Sequence, residues 1–365
     1  MMDRNALYVA SGENPFQMTL ELLRHIKPLE GLRKDIRIGI KPNLVCAKPA
    51  SEGATTHPEI VEGILVYLKE EGYRDIRILE GSWVGDRTER AFRVCGYSDL
   101  SKAYQVPLVD LQRDGWTLRT VKGMALKVCN EALEVEYLIN VPLIKGHCQT
   151  KITCALKNMK GLIPDEEKRR YHTMGLHKPI ALLNAVLRQD LIVADAICPD
   201  PYFEEGGSPV PMNRIVAGAD PVLMDSYAAS LLGYQPEEIP YILLAEELGI
   251  GQRLRDEKQI RTVGHPPMDE DAGIRIDRKE RKYLRLIEEA DACSACMSNL
   301  VAAMEILHEQ GFIETFADQI CIGQAYRRYQ GELGVGDCTA CFRHHVPGCP
   351  PDIGSIVRDL KRMKE

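Results

Sequence analysis

The sequence of 365 residues has no apolar run of the roughly 18 residues that a membrane-spanning helix needs. Its first residues show no basic start followed by an apolar stretch, so no signal peptide is visible. We therefore expect a cytoplasmic protein without membrane contacts, in a compartment where thiols stay reduced.

The chain also lacks an excess of basic residues. Its formal net charge of -7 argues against general nucleic-acid binding, which favours a basic face. The glycines near EGSWVGDRT fit neither the dinucleotide nor the nucleoside triphosphate fingerprint, so we predict no NAD and no ATP as cofactors. The expected partners are a small anionic ligand and a redox partner protein, without nucleic acid or membrane.

Segments that read as strands and segments that read as helices alternate along the first 235 residues. This alternation predicts an α/β fold with a mainly parallel sheet and helices on both faces. The predicted strands are 36–45, 75–81, 106–111, 136–144, 190–197 and 214–220, and the predicted helices are 58–73, 87–97, 150–160, 178–189 and 220–233.

A charged stretch over 269–291 separates this region from a cysteine-rich tail. We place a domain boundary near residue 275, which gives an α/β domain over 1–275 and a small α+β domain over 276–365. In the tail, an amphipathic helix is expected around SNLVAAMEILHEQG, a strand near DQICIGQA and a last helix after Pro351.

Cysteines are numerous, and half of the twelve fall after Ala292. Two Cys-x-x-Cys pairs and a Cys followed by Pro are typical of a metal site, because a two-residue gap lets both sulfurs face one centre. The six are Cys293, Cys296, Cys321, Cys338, Cys341 and Cys349.

Three interpretations of this tail compete: a disulfide framework, a structural zinc site and one [4Fe-4S] cluster. A reducing compartment disfavours disulfides, and the terminal Gly-Cys-Pro-Pro favours the cluster. The expected ligands are Cys293, Cys296, Cys338 and Cys349, with Cys341 and Cys321 in reserve. His344 and His345 are expected to be exposed loop residues.

Polar residues follow the predicted strands of the first domain, where open α/β sheets bind ligands. Lys41 and Asn43 lie within an apolar run, and Lys145 and His147 follow the strand over 136–144. Lys157, Asn158 and Lys160 come soon after. Such lysines suit a carboxylate or phosphate group, although a solvated basic helix explains the same spacing.

Two carboxyl groups are the candidates for proton transfer. Asp195 ends a predicted strand, and Asp225 lies about one turn into an apolar helix where a carboxylate needs a partner. We expect them to pair with the lysines or to act as acid and base.

Several segments in this order resemble the DUF362 family, a group of uncharacterised proteins often found with iron–sulfur domains. They are KPN (41–43), THP (56–58), EGS (80–82), NVPLIKGH (140–147), KNMKGLIP (157–164), YH (171–172), DA (195–196) and GADPVLMDSYAASLLG (218–233). The tail resembles a cysteine-rich extension found in members from anaerobes. Here the bacterial-ferredoxin run of many members is absent, which implies one cluster rather than two.

The resemblance implies an α/β fold and a polar signature. That signature comprises Lys41, Asn43, Lys145, His147, Lys157, Asn158, His172, Asp195 and Asp225. We expect an iron–sulfur oxidoreductase with electron transfer to or from a small anion, in which His147, Asp195 or Asp225 moves protons. The alternatives are a non-redox lyase or isomerase, and a binding protein whose cluster or zinc is structural.

Overall fold

The computed structural model of this chain describes residues 2–264, 285–316 and 319–363. The described residues form two compact units, one of 2–170 with 177–264 and one of 171–176 with 285–316 and 319–363. The domain boundary predicted near residue 275 lies outside the described residues.

The first unit is built on strands that fall into one large sheet and two short hairpins. They are β1 (Leu7–Ser11), β2 (Ile38–Pro42), β3 (Ile76–Glu80), β4 (Leu108–Asp110), β5 (Trp116–Val121), β6 (Met124–Cys129), β7 (Tyr137–Val141), β8 (Lys145–His147), β9 (Lys151–Thr153), β10 (Leu191–Ala196), β11 (Arg214–Gly218) and β12 (Ile260–Val263).

Helices connect these strands, and one of them continues into the second unit. They are α1 (Pro15–Ile26), α2 (Pro58–Glu70), α3 (Thr88–Val94), α4 (Tyr97–Tyr104), α5 (Asn130–Leu133), α6 (Ala155–Asn158), α7 (Asp165–Met174), α8 (His177–Val186), α9 (Pro221–Leu231) and α10 (Pro240–Glu247).

The large sheet has eight strands in the order β12-β1-β11-β10-β7-β2-β3-β4. Strand pairs from β10 to β4 are parallel, and so is β1 with β12, whereas β11 runs antiparallel to both of its neighbours. The predicted fold class, an α/β fold on a mainly parallel sheet, is confirmed.

Local sequence explains most of these elements. Helix α2 starts with Pro58 and buries Ile60, Ile64 and Leu68 on one face. The single helix predicted over 150–160 is wrong at its start. There, Lys151–Thr153 pairs with Lys145–His147 in a hairpin, and the helix begins at Ala155.

The second unit carries a four-stranded parallel sheet in the order β13 (Ile287–Glu289), β14 (Ile320–Ile322), β15 (Leu333–Val335) and β16 (His344–Val346). This unit also contains the helices α11 (Ser294–Glu309) and α12 (Ile353–Arg362). Across the described parts of the chain, we find no helix with the length and apolar character needed to cross a bilayer.

Candidate functional site

Polar side chains gather where the parallel strands of the large sheet end. Lys41 on β2 lies beside Asn140 on β7 in the strand register. Three residues after Asn140, Leu143 forms a parallel bridge with Asp195 near the end of β10. This carboxyl edge therefore holds residues from three neighbouring strands, as open α/β sheets lead us to expect.

A buried ion pair lies at this edge. Lys41 Nζ donates to Glu80 Oε1 at 2.7 Å, and both side chains are almost fully inaccessible. Glu80 also accepts hydrogen bonds from the backbone N–H groups of Leu44 and Gly81. Burial lowers the pKa of Lys41, and the Glu80 carboxylate opposes this effect.

Amide side chains extend this pair into a network. Asn158 Oδ1 accepts from Lys41 Nζ at 3.3 Å, and Asn158 Nδ2 donates to Asn140 Oδ1 at 2.7 Å. Asn140 in turn donates to Gln189 Oε1 at 2.5 Å. Lys41 and Asn158, predicted to bind a ligand, are thus committed to contacts inside the protein.

Lys145 lies at the same edge on β8 and is also buried. Its Nζ donates to the carbonyl oxygens of Ala54 and Glu204 at 2.5 and 2.6 Å and lies 3.5 Å from Asn43 Oδ1. Burial and the charge of Lys157 lower the pKa of Lys145 to about 7. Lys145 is therefore a buried amine that titrates near neutral pH.

Lys157 and Lys160 are partly exposed, and Lys157 lies close enough to Lys145 to lower its pKa. Burial lowers the pKa of Lys157 to about 8, and its Nζ donates to Thr153 Oγ1 at 3.1 Å. Burial, Lys157 and Lys168 together hold the pKa of Lys160 well below its usual range. We call Lys145, Lys157 and Lys160 the lysine cluster.

Glu204 brings a carboxylate to this cluster. Burial opposes its charge, but the facing ring of His147 and the ammonium of Lys157 outweigh burial and lower the pKa of Glu204 to about 2. Its Oε1 accepts from the Cys148 thiol at 3.2 Å and lies 3.6 Å from His147 Nε2. His147, Cys148 and Glu204 place their ligand atoms within 4.8 Å of one another, a group that could hold a metal ion.

The tautomer of His147 bears on that possibility. Its Nδ1 accepts hydrogen bonds from the backbone N–H groups of Gln149 and Thr150, both at 3.1 Å. A neutral imidazole bonded in this way carries its proton on Nε2, toward Glu204. A metal ion at Nε2 would have to displace that proton, so the group as it stands is a hydrogen-bonded cluster.

Asp195 does not pair with the lysine cluster. Its Oδ2 accepts from His57 Nδ1 at 2.9 Å and from the His57 backbone N–H at 2.8 Å, and its Oδ1 accepts from the backbone N–H of Ile197 at 2.9 Å. Asp195 is fully buried, whereas the His57 side chain is 14% exposed. The partner of Asp195 is therefore a histidine.

Asp225 lies apart from the lysines as well. On α9 its Oδ1 accepts from the backbone N–H of Leu156 at 3.3 Å. Burial raises the pKa of Asp225 to about 7, although the Cys154 thiol and the Tyr241 hydroxyl partly offset that effect. The expected pairing of Asp195 and Asp225 with the lysines is not seen among the described contacts.

The remaining predicted site residue, His172, lies in the segment 171–176, which belongs to the second unit.

An open depression of about 400 Å³ in the first unit is lined by other residues, among them Arg4, Asn184, Arg188 and Asp220. None of the predicted site residues lines it.

The cysteine-rich tail brings four thiols together in the second unit. Cys293 precedes the first turn of α11 and Cys296 lies within it. A hydrogen bond with Cys293, then burial and the thiols of Cys349 and Cys338, hold the pKa of Cys296 far above its usual range. We call Cys293, Cys296, Cys338 and Cys349 the cysteine quartet.

One backbone hydrogen bond and one to a side chain join the two loops that carry Cys338 and Cys349. Asp337 N donates to Gly348 O at 3.0 Å, and Gly348 N donates to Asp337 Oδ1 at 2.7 Å. Asn299 on α11 donates to Pro351 O at 2.9 Å, which ties Cys349 to the helix. Gly336 has a φ of 90°, and a Cβ there would lie 3.7 Å from Cys296 Sγ.

This environment suits an anionic thiolate centre. Cys293 and Cys296 lie at the N-terminal end of α11, where the helix dipole favours negative charge. A hydrogen bond with Cys338 raises the pKa of the exposed Arg327 guanidinium, and the charge of Cys338 adds to that effect. All twelve cysteines are free, so no disulfide competes for the quartet.

The two reserve cysteines have other surroundings. Cys341 is exposed, and it is not among the thiols that shift the pKa of Cys296. Cys321 lies in β14, with its Sγ 3.7 Å from Glu288 Oε2. The loop placement predicted for His344 and His345 is wrong, because both lie in strand β16, where His344 is exposed and His345 is partly exposed.

Sequence reasoning missed His57, Glu80, Cys148 and Glu204. His57 and Glu80 occur within the THP and EGS segments, so their polarity next to strand and helix ends was the available signal. Glu204 comes from a Gly/Pro-rich loop whose path the sequence does not reveal.

Comparisons with known proteins place the chain in a family. The model described as "Domain of unknown function (DUF362)" matches residues 38–230, more than half of the chain. The thylakoid-associated protein sll1697 of Synechocystis sp. (strain ATCC 27184 / PCC 6803 / Kazusa) is 24% identical over 240 residues, which cover 62% of this chain and 73% of that protein.

Among solved structures, the lactate racemase apoprotein from Thermoanaerobacterium thermosaccharolyticum is similar at 15% identity and a TM-score of 0.39. The match covers 60% of this chain and spans 56% of that chain. The family match confirms the resemblance drawn from KPN, THP and the later segments over residues 38–230. The chain belongs to the DUF362 family.

Proposed function

We propose that this protein binds one [4Fe-4S] cluster through the cysteine quartet and acts as an oxidoreductase on a small anion held by the lysine cluster. One observation carries the proposal: the thiols of Cys293, Cys338 and Cys349 all act on Cys296, although they come from separate parts of the tail. Thiolates from spaced Cys-x-x-Cys and Cys-Pro segments are the usual ligands of such clusters.

The residues around the quartet favour a cluster over a single zinc ion. Cys349 is followed by Pro350 and Pro351, and a ligating cysteine followed by proline is typical of iron–sulfur sites. A tetrahedral zinc ion bound by the same four thiolates is the alternative.

The lysine cluster supports the anion. All three of its lysines have lowered pKa values, and Lys157 contributes to the shifts of both Lys145 and Lys160. When amines lower one another's pKa values, an added negative charge stabilises their protonated forms. A carboxylate or phosphate group of the substrate would supply that charge, and Lys157 and Lys160 are accessible to it.

When bound, a four-iron cluster supplies one-electron transfer, and a redox partner protein would exchange those electrons. The lysine cluster would hold the anion. His147 carries a proton on Nε2 beside Glu204 and Lys157, so it is better placed to move protons than the enclosed Asp225. Asp195 would act only through His57.

Reduction and reoxidation of the purified protein test this proposal. Protein prepared anaerobically is reduced with dithionite, and small carboxylates and phosphate esters that also carry a reducible carbonyl group are added while the visible absorption is followed. We expect one of these anions to reoxidise the wild type, and Lys145→Gln to slow that step by about tenfold or more with its iron retained. Lys178→Gln, at an exposed position, serves as the control.

Two results would contradict the oxidoreductase: dithionite leaves the spectrum unchanged, or Lys145→Gln reoxidises as fast as Lys178→Gln. A non-redox lyase or isomerase is the second candidate. It is favoured by Lys145, whose pKa of about 7 suits acid–base chemistry that needs no electrons. Turnover of the anion by cluster-free Cys349→Ser protein would establish that candidate instead.

The compartment and the partners stay predictions. The relative's name refers to thylakoids, and for this chain we keep the cytoplasm as the proposed location.

A further inference from the structure

His57 holds a position in which two local rules are broken. It is the residue before α2, where Ser, Thr, Asp or Asn would cap the helix, yet its side chain makes no capping hydrogen bond. A histidine that gains a proton there also places positive charge at the positive end of a helix dipole. The missing cap and the unfavourable charge both destabilise the start of α2, so a compensating contact or a function is expected.

The compensating contact is Asp195. One oxygen of this buried carboxylate accepts both the backbone N–H and the ring Nδ1–H of His57. The other oxygen is held by the backbone N–H of Ile197. The ring therefore has one orientation and one tautomer, with Nδ1 as donor and Nε2 left for a different partner.

Two hydrogen bonds link the chain around the His57–Asp195 pair to the chain around Lys145. Lys145 Nζ donates to the carbonyl of Ala54, three residues before His57. The backbone N–H of Ile144, the neighbour of Lys145, donates to the carbonyl of Asp195 at 2.9 Å. The segments that carry His57 and Asp195 are therefore both joined to the segment 144–145.

We infer that His57 is a second group that transfers a proton, through Nε2, to or from the anion held by the lysine cluster, and that Asp195 is its positioning residue. This inference rests on the proposed anion site, whether or not the reaction there is a redox one. The proton moves between His57 Nε2 and an oxygen or carbon of the bound anion, and Asp195 keeps its charge throughout.

The charges around His57 agree with this role. Burial disfavours the imidazolium, but the Asp195 carboxylate and the more distant Glu59 outweigh burial and raise the pKa of His57. An imidazole ring can give a proton in its charged form and accept one in its neutral form.

Proton exchange at the histidine C2 atoms, read by mass spectrometry on the full-length protein, tests the inference. The probe is sulfate, whose charge does not change between pH 6 and 9. We expect sulfate to bind the wild type in calorimetry and to raise the pKa of His57, while the exposed His25 does not respond. In Lys145→Gln that response of His57 should be lost.

Asp195→Asn should lower the pKa of His57, and the conservative Asp195→Glu should restore part of it. Because a variant at this buried position could fail to fold, the sulfate response of the wild type is decisive by itself. If sulfate binds and His57 does not respond, the inference is overturned and the anion site stands. If sulfate does not bind at all, the proposed anion site and this role of His57 both fail.

Discussion

Lys41 Nζ and Glu80 Oε1 lie 2.7 Å apart in the interior of the first unit, with both side chains nearly inaccessible to water. They come from neighbouring parallel strands, and their charges meet at the edge of the sheet where the other polar residues gather. This pair fixes the inner wall of the candidate site and does not itself reach a ligand.

Breaking the pair should be costly. Lys41→Met leaves Glu80 as an unpaired buried carboxylate, and we expect the free energy of unfolding to fall by about 3–5 kcal/mol. Urea denaturation followed by circular dichroism measures this change. The matched control is Arg24→Met, which breaks an exposed pair with Glu70 of the same 2.7 Å length and should cost at most about 1 kcal/mol. Equal losses in the two variants would contradict the buried-pair account.

Asp225 should make stability depend on pH. Its pKa of about 7 in the folded protein exceeds the value of about 3.9 in an unfolded chain, so the folded state binds more protons between these values. The contribution of Asp225 to the free energy of unfolding therefore falls as pH rises, by about 2–3 kcal/mol between pH 5 and pH 8.

Asp225→Asn removes that titration. The difference in unfolding free energy between variant and wild type, measured by urea denaturation at several pH values, should therefore grow in favour of the variant as pH rises. A difference that stays constant from pH 5 to pH 8 would show that Asp225 does not titrate in this pH range.

Anion binding by the lysine cluster should weaken with rising pH. Lys145 and Lys157 lose their protons near pH 7 and pH 8, so a sulfate ion meets fewer positive charges above these values. Calorimetry should show the affinity falling by about tenfold or more between pH 6.5 and pH 9. An affinity that rises or stays level over this range would exclude these two amines as the binding groups.

Two cysteines of one loop should behave differently. Cys338→Ser removes a neighbour of Cys296 and should lose most of the bound iron, whereas Cys341→Ser changes an exposed residue and should keep it. Iron per chain after anaerobic purification measures both variants. Iron loss in Cys341→Ser with retention in Cys338→Ser would exchange the roles of the two cysteines.

The fold could be predicted from sequence because its strands and helices follow one another in a regular alternation. The buried run of β2 and the proline-started α2 carry strong local signals. The hairpin that begins with Lys145–His147 was missed, because its strands are three residues long and Lys151 occupies a left-handed φ of 65°. Neither feature leaves a periodic pattern.

For the candidate site, sequence predicted which residue types gather but not how they pair. Lys41, Lys145 and Asp195 were singled out because charged groups inside apolar segments need partners. Their partners, Glu80, the carbonyl of Glu204, and His57, come from segments 39, 59 and 138 residues away in the chain. Contacts over such distances depend on the path of the whole chain, which local pattern does not specify.

Metal and sulfide analysis of the protein purified without oxygen, together with its absorption spectrum, tests the central claim most directly. The cysteine quartet predicts a brown protein with about four iron and four sulfide per chain and no stoichiometric zinc. A colourless protein that carries one zinc ion per chain, or no metal at all, would contradict it.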